Sequence, residues 1–358
     1  MTAAQYITQA LQIGASDIHL VRGLTPRCRI DGSIREMGDV PLTEEACLAL
    51  ARELAGPALC RAGETGELDL ARTIAGVRCR INLFRQQAAW SAAIRLLSDH
   101  IPALDELGLP RAAEEFPGYR QGLVLITGVT GSGKSTTLAA ILNRINQTGA
   151  RHILTLEDPI EYVYTPDRCV INQREIGRDT PSFASGLRAA LREDPDVILV
   201  GEMRDLETIE TALTAAETGH LVFSTVHTHS AADSIDRIVD VFPAGRQRQI
   251  RLQLSMTLKA VLSQQLLPRV GGGRVLACEV MKTDGAIRNL IREGKTPQIV
   301  NAIQTGGSIG NILMDMALHA LLSAGSISGE TYQSALRDPS AAVKKTAPFP
   351  PPLDRRRT

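Results

Sequence analysis

One short segment constrains this chain more than any other: Gly128-Val129-Thr130-Gly131-Ser132-Gly133-Lys134-Ser135. It fits the pattern G-x-x-x-x-G-K-[ST], and its surroundings are the ones the chemistry of that pattern needs. The apolar run 123–127 before it reads as a buried strand. Thr136, Leu138, Ala139, Ala140, Ile141 and Leu142 after it open a helix. Glycines let the backbone curl until successive N–H groups and the helix N-terminus face one point, which makes a cradle for phosphates. Gly128 to Ser135 and Thr136 would then hold ATP, with Lys134 reaching the β and γ phosphates and the Ser135 hydroxyl ligating Mg²⁺. Strand, glycine-rich turn and helix in this order belong to an α/β fold.

Other stretches agree. The runs 152–156, 197–200 and 221–223 are apolar without alternation, as expected for strands of a sheet covered on both faces by helices. The nucleotide domain is expected over 113–338. Residues 1–97 read as a smaller α/β unit. An amphipathic helix passes through Tyr6, Ile7, Ala10 and Leu11, Asp31-Gly32 marks a hairpin, and a helix is expected over 44–54. Strands are expected over 67–74, 77–85 and 90–97. In the second of these, Val77, Cys79, Ile81 and Leu83 share one face and Arg78, Arg80 and Asn82 the other, which puts two arginines together on an exposed face. Pro102, Gly108 and Pro110 punctuate 98–112, which reads as a linker. The Pro-rich segment 339–358 reads as a disordered tail.

Composition enters as an exclusion. Lys plus Arg and Asp plus Glu are both 39, so the formal net charge is zero, which argues against a dedicated nucleic-acid binder. The longest apolar runs are far short of the roughly 20 residues a spanning helix needs. No basic residue precedes Arg22 and no secretory signal is expected. Six cysteines lie scattered without a CxxC pair, which fits reduced thiols in a soluble cytoplasmic protein.

Hydrolysis needs a group that orients or deprotonates water. The strand 197–200 ends in Gly201-Glu202, with Gly201 where many such strands carry a metal-binding aspartate. Glu202 is the first candidate for the catalytic carboxylate. Thr155-Leu156-Glu157-Asp158-Pro159-Ile160-Glu161-Tyr162 sets three carboxylates after another core strand. Acidic residues at that edge of a parallel sheet face the ligand crevice, where Glu157, Asp158 and Glu161 can organise Mg²⁺ and its waters, though a plain acidic loop has the same composition. His220 and His227 stand at opposite ends of a short strand and are not expected to share a metal. His227, at the C-terminal end, could hydrogen-bond the γ-phosphate.

Taken together, GVTGSGKST, TLEDPIEY, ILVGEMRDLETI and GHLVFSTVHT resemble the secretion and pilus motor ATPases of type II and type IV systems. Within these, AIRNLIREGK at 286–295 is similar to the retraction motors of type IV pili. Further matches are SDIHL, the RIDG hairpin, RINLF, FPAGRQRQIRLQLS and AVLSQQLLPR. The resemblance implies a PAS-like N-terminal domain joined to a RecA-like ATPase core, a homo-hexameric ring, and arginines given to the nucleotide by the N-terminal domain, best matched by Arg80 and Arg95. It also implies ATP and Mg²⁺ as cofactors and an inner-membrane pilus platform protein as partner. Nucleic acid is not expected, and contact with the inner face of the cell membrane would run through partners. The work implied is pilus retraction and twitching motility. Residues 307–315, GSIGNILMD, depart from the pattern, and the tetracysteine element common in assembly and secretion motors is absent. A pilus assembly or secretion motor, a nucleotide-gated scaffold and a nucleic-acid translocase stay open as alternatives.

Overall fold

Two sheets of opposite character divide the chain. The structure, a computed structural model, describes residues 1–30, 32–97 and 100–336; Asp31 of the expected hairpin and the Pro-rich segment 339–358 lie outside the described residues. The first sheet holds β1 (Asp17–Leu20), β2 (Arg27–Ile30), β3 (Ser33–Glu36), β4 (Glu67–Ile74), β5 (Val77–Gln86) and β6 (Ala89–Leu96). Their order is β3-β2-β1-β6-β5-β4, with every pairing antiparallel. Period-two alternation turns Ile18, Leu20, Cys79, Ile81, Leu83, Ala92 and Ile94 to one face, which the helices Ala3–Gln12 and Glu44–Ala55 cover. Thr2 caps the first helix through a capping box, and Ala3, Tyr6, Ile7 and Ala10 form its buried stripe. Leu11, expected on that stripe, is instead 46% exposed, because position i+8 falls past the edge of so narrow a contact.

The second sheet holds β7 (Gly122–Thr127), β8 (His152–Glu157), β9 (Val170–Glu175), β10 (Val197–Val200), β11 (Leu221–Val226), β12 (Leu258–Pro268) and β13 (Arg274–Lys282). The order is β13-β12-β7-β11-β10-β8-β9, parallel throughout except for the β12–β13 hairpin. Each central strand feeds two cores at once. Leu123, Leu125, Ile198, Val200 and Val222 point to one, and Val124, Ile126, Val197, Leu199 and Phe223 to the other. The helix Lys134–Thr148 covers the second core, while Leu206–Glu217, Ala231–Asp240 and Gly285–Glu293 cover the first. This explains the unbroken apolar runs: a strand buried on both faces has no polar side. The AIRNLIREGK segment is the helix Gly285–Glu293, capped by Asp284 and stopped by Gly294 in the left-handed region. Ile287 and Ile291 anchor it in the core. The fold is thus α/β, a RecA-like core behind a smaller PAS-like α/β domain.

Three residues of the stretch expected to be a linker reach into a core, while its other described residues are partly or fully exposed. Leu104, Leu109, Ala112 and Ala113 are buried with Phe116 in the second core, and the short helix Arg111–Glu114 lies within it. Among the described residues, no helix is long and apolar enough to cross a membrane.

Candidate active site

Parallel registry gathers the chemically active residues along one edge. Thr127 pairs with Val226, Val200 with Ser224 and Val200 with Leu156, so Gly128, His227 and Gly201-Glu202 just past three strand ends, and Glu157 at the end of β8, line one edge of four adjacent strands. Gly128 is required by space as well as by rotation. A Cβ on Gly128, whose φ is +144°, would sit 2.4 Å from the Ser132 hydroxyl and 2.5 Å from the Gln264 carbonyl of β12. Gly133 at φ +91° turns the chain into the helix Lys134–Thr148.

Lys134 is buried, and its Nζ donates to the Gly128 and Val129 carbonyls at 2.8 and 3.0 Å. Burial lowers its pKa, while the carboxylates of Glu161 and Glu202 pull the other way. The Ser132 hydroxyl is buried without a partner. A buried cation, an unpartnered hydroxyl and a cradle that a Cβ on Gly128 would fill fit the phosphates of a nucleotide. Ser135, exposed in the first helical turn, fits Mg²⁺ by its oxygen donor. A cavity of about 580 Å³ adjoins the loop, between Val129, Thr130, His229, Gln265 and Leu336.

Glu157 closes β8. Its Oε1 accepts from Thr155 Oγ1 at 2.7 Å and from Gln173 Nε2 at 3.2 Å. Burial pushes its pKa up to about 7 against the effect of those two hydrogen bonds. Gln173 also donates to the Tyr162 carbonyl at 2.8 Å and accepts from the Tyr164 amide at 3.0 Å, so it sets the shape of the whole acidic loop. The Tyr162 hydroxyl lies 3.0 Å from Thr136 Oγ1 and ties that loop to the phosphate helix. Neither Gln173 nor Tyr162 was expected from sequence. Asp158 is exposed, and Glu161 lies 3.8 Å from Arg80.

Glu202 pairs with Arg204 Nε at 2.8 Å, and His227 Nε2 stands 4.0 Å from the same carboxylate. Burial, then the nearby Lys134, lowers the His227 pKa, so the ring is neutral at neutral pH. Gly201 has a packing reason. Its amide donates to the Leu156 carbonyl at 2.8 Å, and a Cβ would come within 3.1 Å of that oxygen. His220 is at the far end of β11, its Nδ1 2.9 Å from the Ala215 carbonyl.

The N-terminal arginines separate. Arg80 reaches Glu161, whereas Arg95 binds Asp17 of its own sheet at 2.8 Å with 63% of its side chain exposed. Arg80 and Arg95 are direct cross-strand partners, and Asp17 lies on the other side of Arg95. Repulsion from the first and attraction to the second hold Arg95 away from the loop of its own chain. Arg78, expected on an exposed face, is instead 12% exposed and engaged with the second domain.

A phosphate loop at the carboxyl edge of this sheet, faced by carboxylates on neighbouring strands, defines a P-loop nucleotide-binding protein with a RecA-like core. The chain belongs to the type II/IV secretion system protein family, whose description matches residues 2–299. It is 48% identical over 95% of its length, and 99% of the relative's, to the type IV pilus retraction ATPase PilT of Pseudomonas aeruginosa. It is 51% identical to a twitching motility protein of Neisseria gonorrhoeae over 74% of its own length and 71% of the relative's. A crystal structure of the pilus retraction motor PilT with bound ADP superposes with a TM-score of 0.88 at 48% identity, covering 95% of this chain and 98% of that one.

Proposed function

We propose that this chain is an Mg²⁺-dependent ATPase that works as a homo-hexameric ring and powers retraction of a type IV pilus, and with it twitching motility. The observation that carries this reading is the convergence of Lys134, Glu202 and Glu157 at one sheet edge, in a chain so similar to a retraction ATPase over nearly its whole length. The loop amides and Lys134 bind the phosphates of ATP. Ser135, and Asp158 partly through water, would hold Mg²⁺, which when bound neutralises phosphate charge. Glu202 orients and deprotonates the attacking water, and Glu157 and Glu161 shape the surrounding polar shell. Neutral His227 hydrogen-bonds the γ-phosphate, and Arg80 stabilises charge in the transition state. Arg95, turned to Asp17 in its own chain, would close a neighbouring subunit's site.

Loss of the γ-phosphate removes contacts that hold the domains together, and the two domains then shift against each other. Force would pass to an inner-membrane pilus platform protein, so the ring works at the cytoplasmic face of the cell membrane without entering it. Deleting the gene tests the direction of work. Excess surface pili and lost twitching are expected, whereas a bald cell would identify an assembly motor and overturn the retraction reading.

A further inference from the structure

Arg78 differs from the other arginines on its sheet face. Its side chain is 12% exposed, against 42% for Arg80. The guanidinium leaves β5 and enters the second domain, where Nη2 and Nε both donate to the Ile160 carbonyl, at 2.7 and 3.1 Å. Nη2 also lies 3.5 Å from Oε2 of Glu175, the last residue of β9. That same oxygen accepts from the Ile160 amide at 3.3 Å. Arg78 and Glu175 therefore hold both polar groups of one residue in the middle of the acidic loop.

Ile160 sits between Glu157 and Glu161. Two residues further on, Tyr162 meets Thr136 of the phosphate helix at 3.0 Å. The loop is thus gripped by the N-terminal sheet at Ile160 and by the nucleotide loop's own helix at Tyr162. The contact of Arg80 with Glu161 runs alongside at 3.8 Å, longer and more exposed.

We infer that Arg78 is a positioning residue: it fixes the acidic loop to the N-terminal sheet, so that movement of one domain against the other shifts Glu157 and Glu161 relative to Lys134. A planar guanidinium can give two donors to one carbonyl while facing a carboxylate, and an ammonium cannot reproduce that fork. Misplacing a catalytic group by about 1 Å can cost on the order of 10²-fold in rate. The kinetic part of this inference rests on the ATPase reading above; the mechanical part does not.

The full chain carries its own probe. Trp90 is the single tryptophan and lies on β6, beside the strand that bears Arg78, so energy transfer from Trp90 to mant-ADP at the phosphate loop reads the separation of the domains. The variants are Arg78→Ala, Arg78→Lys and Glu175→Gln, each compared as assembled protein. All three are expected to bind mant-ADP within about threefold of wild type, since the phosphate loop is untouched. Transfer efficiency should change in Arg78→Ala. Turnover should fall about 10- to 100-fold in both Arg78 variants with KM within about threefold, and about 3- to 10-fold in Glu175→Gln. A purely structural role predicts a lower Tm with kcat and transfer per folded molecule unchanged, and that result overturns the inference. So does an Arg78→Lys variant with wild-type kcat. Should Arg78→Ala fail to fold, the Lys and Glu175→Gln variants make the same comparison. A wild type that binds but does not hydrolyse ATP refutes the motor reading alone, while the transfer change in Arg78→Ala still decides the mechanical inference.

Discussion

Glu157 holds a carboxyl group where ionisation is costly, and this has a consequence for stability. Burial moves its pKa from 4.5 to about 7. A difference of about 2.5 units, at 1.36 kcal/mol each, is about 3 kcal/mol. The sign follows from the direction of the shift. Well below pH 4.5 the group is neutral in folded and unfolded chains and has no effect. Between about 4.5 and 7 the unfolded chain ionises and the folded one does not, so stability falls as pH rises, and above about 7 the full cost is present. Glu157→Gln keeps an oxygen for Thr155 and Gln173 but never ionises. The variant should therefore be more stable by about 1 kcal/mol at pH 5 and about 3 kcal/mol at pH 8, roughly 6–12 °C in Tm at the higher pH for a domain of this size. Thermal melts in EDTA without nucleotide, from pH 5 to 8, measure this, and turnover in the same variant should be strongly reduced. A Tm gain that does not grow with pH, or a variant less stable than wild type at pH 8, refutes the reasoning. Stability gained while turnover is lost would mark a group kept for chemistry.

Three shorter predictions concern neighbouring residues. Gly128→Ala places a Cβ 2.5 Å from a backbone carbonyl at φ +144°, so the loop must distort and mant-ADP affinity should drop by about 100-fold or more; wild-type affinity in a titration would contradict the cradle geometry. Arg80→Ala should lower kcat at least about tenfold in the assembled ring, and unchanged turnover would remove its transition-state role. Gly201→Ala crowds the Leu156 carbonyl at 3.1 Å and should destabilise the chain by about 1–2 kcal/mol, read by denaturant unfolding.

Much of this architecture is legible in local pattern because burial on both faces leaves an unmistakable trace. Apolar runs locate β7, β8 and β10 within a residue and the start of β11, and the phosphate loop announces both the strand before it and the helix after it. Less legible are elements whose partners supply the reason for their form. β9 reads as Val-Ile-Asn-Gln-Arg-Glu, too polar for a core strand, and its place at the sheet edge is what permits that. The β4–β5 and β5–β6 turns use Ala75-Gly76 and Gln87-Ala88, all four at positive φ, without the Asn or Asp that would have signalled them. At the candidate site, residue type singles out Lys134, Glu202 and Glu157, which the fold brings to one sheet edge. Gln173 and Tyr162 have no such signature, since an amide and a phenol acquire their roles only from what the fold places beside them. The same holds for the arginines: alternation puts Arg78 and Arg80 on one face, but only the docking of the second domain buries one and leaves the other half exposed.

The most direct test compares ATP turnover by the wild type and by Glu202→Ala, with nucleotide binding measured alongside. Turnover in the variant should fall by about 10²- to 10⁴-fold while binding stays within about threefold. Equal, slow turnover in both proteins, with ATP still bound, would contradict the motor and leave a nucleotide-gated scaffold in its place.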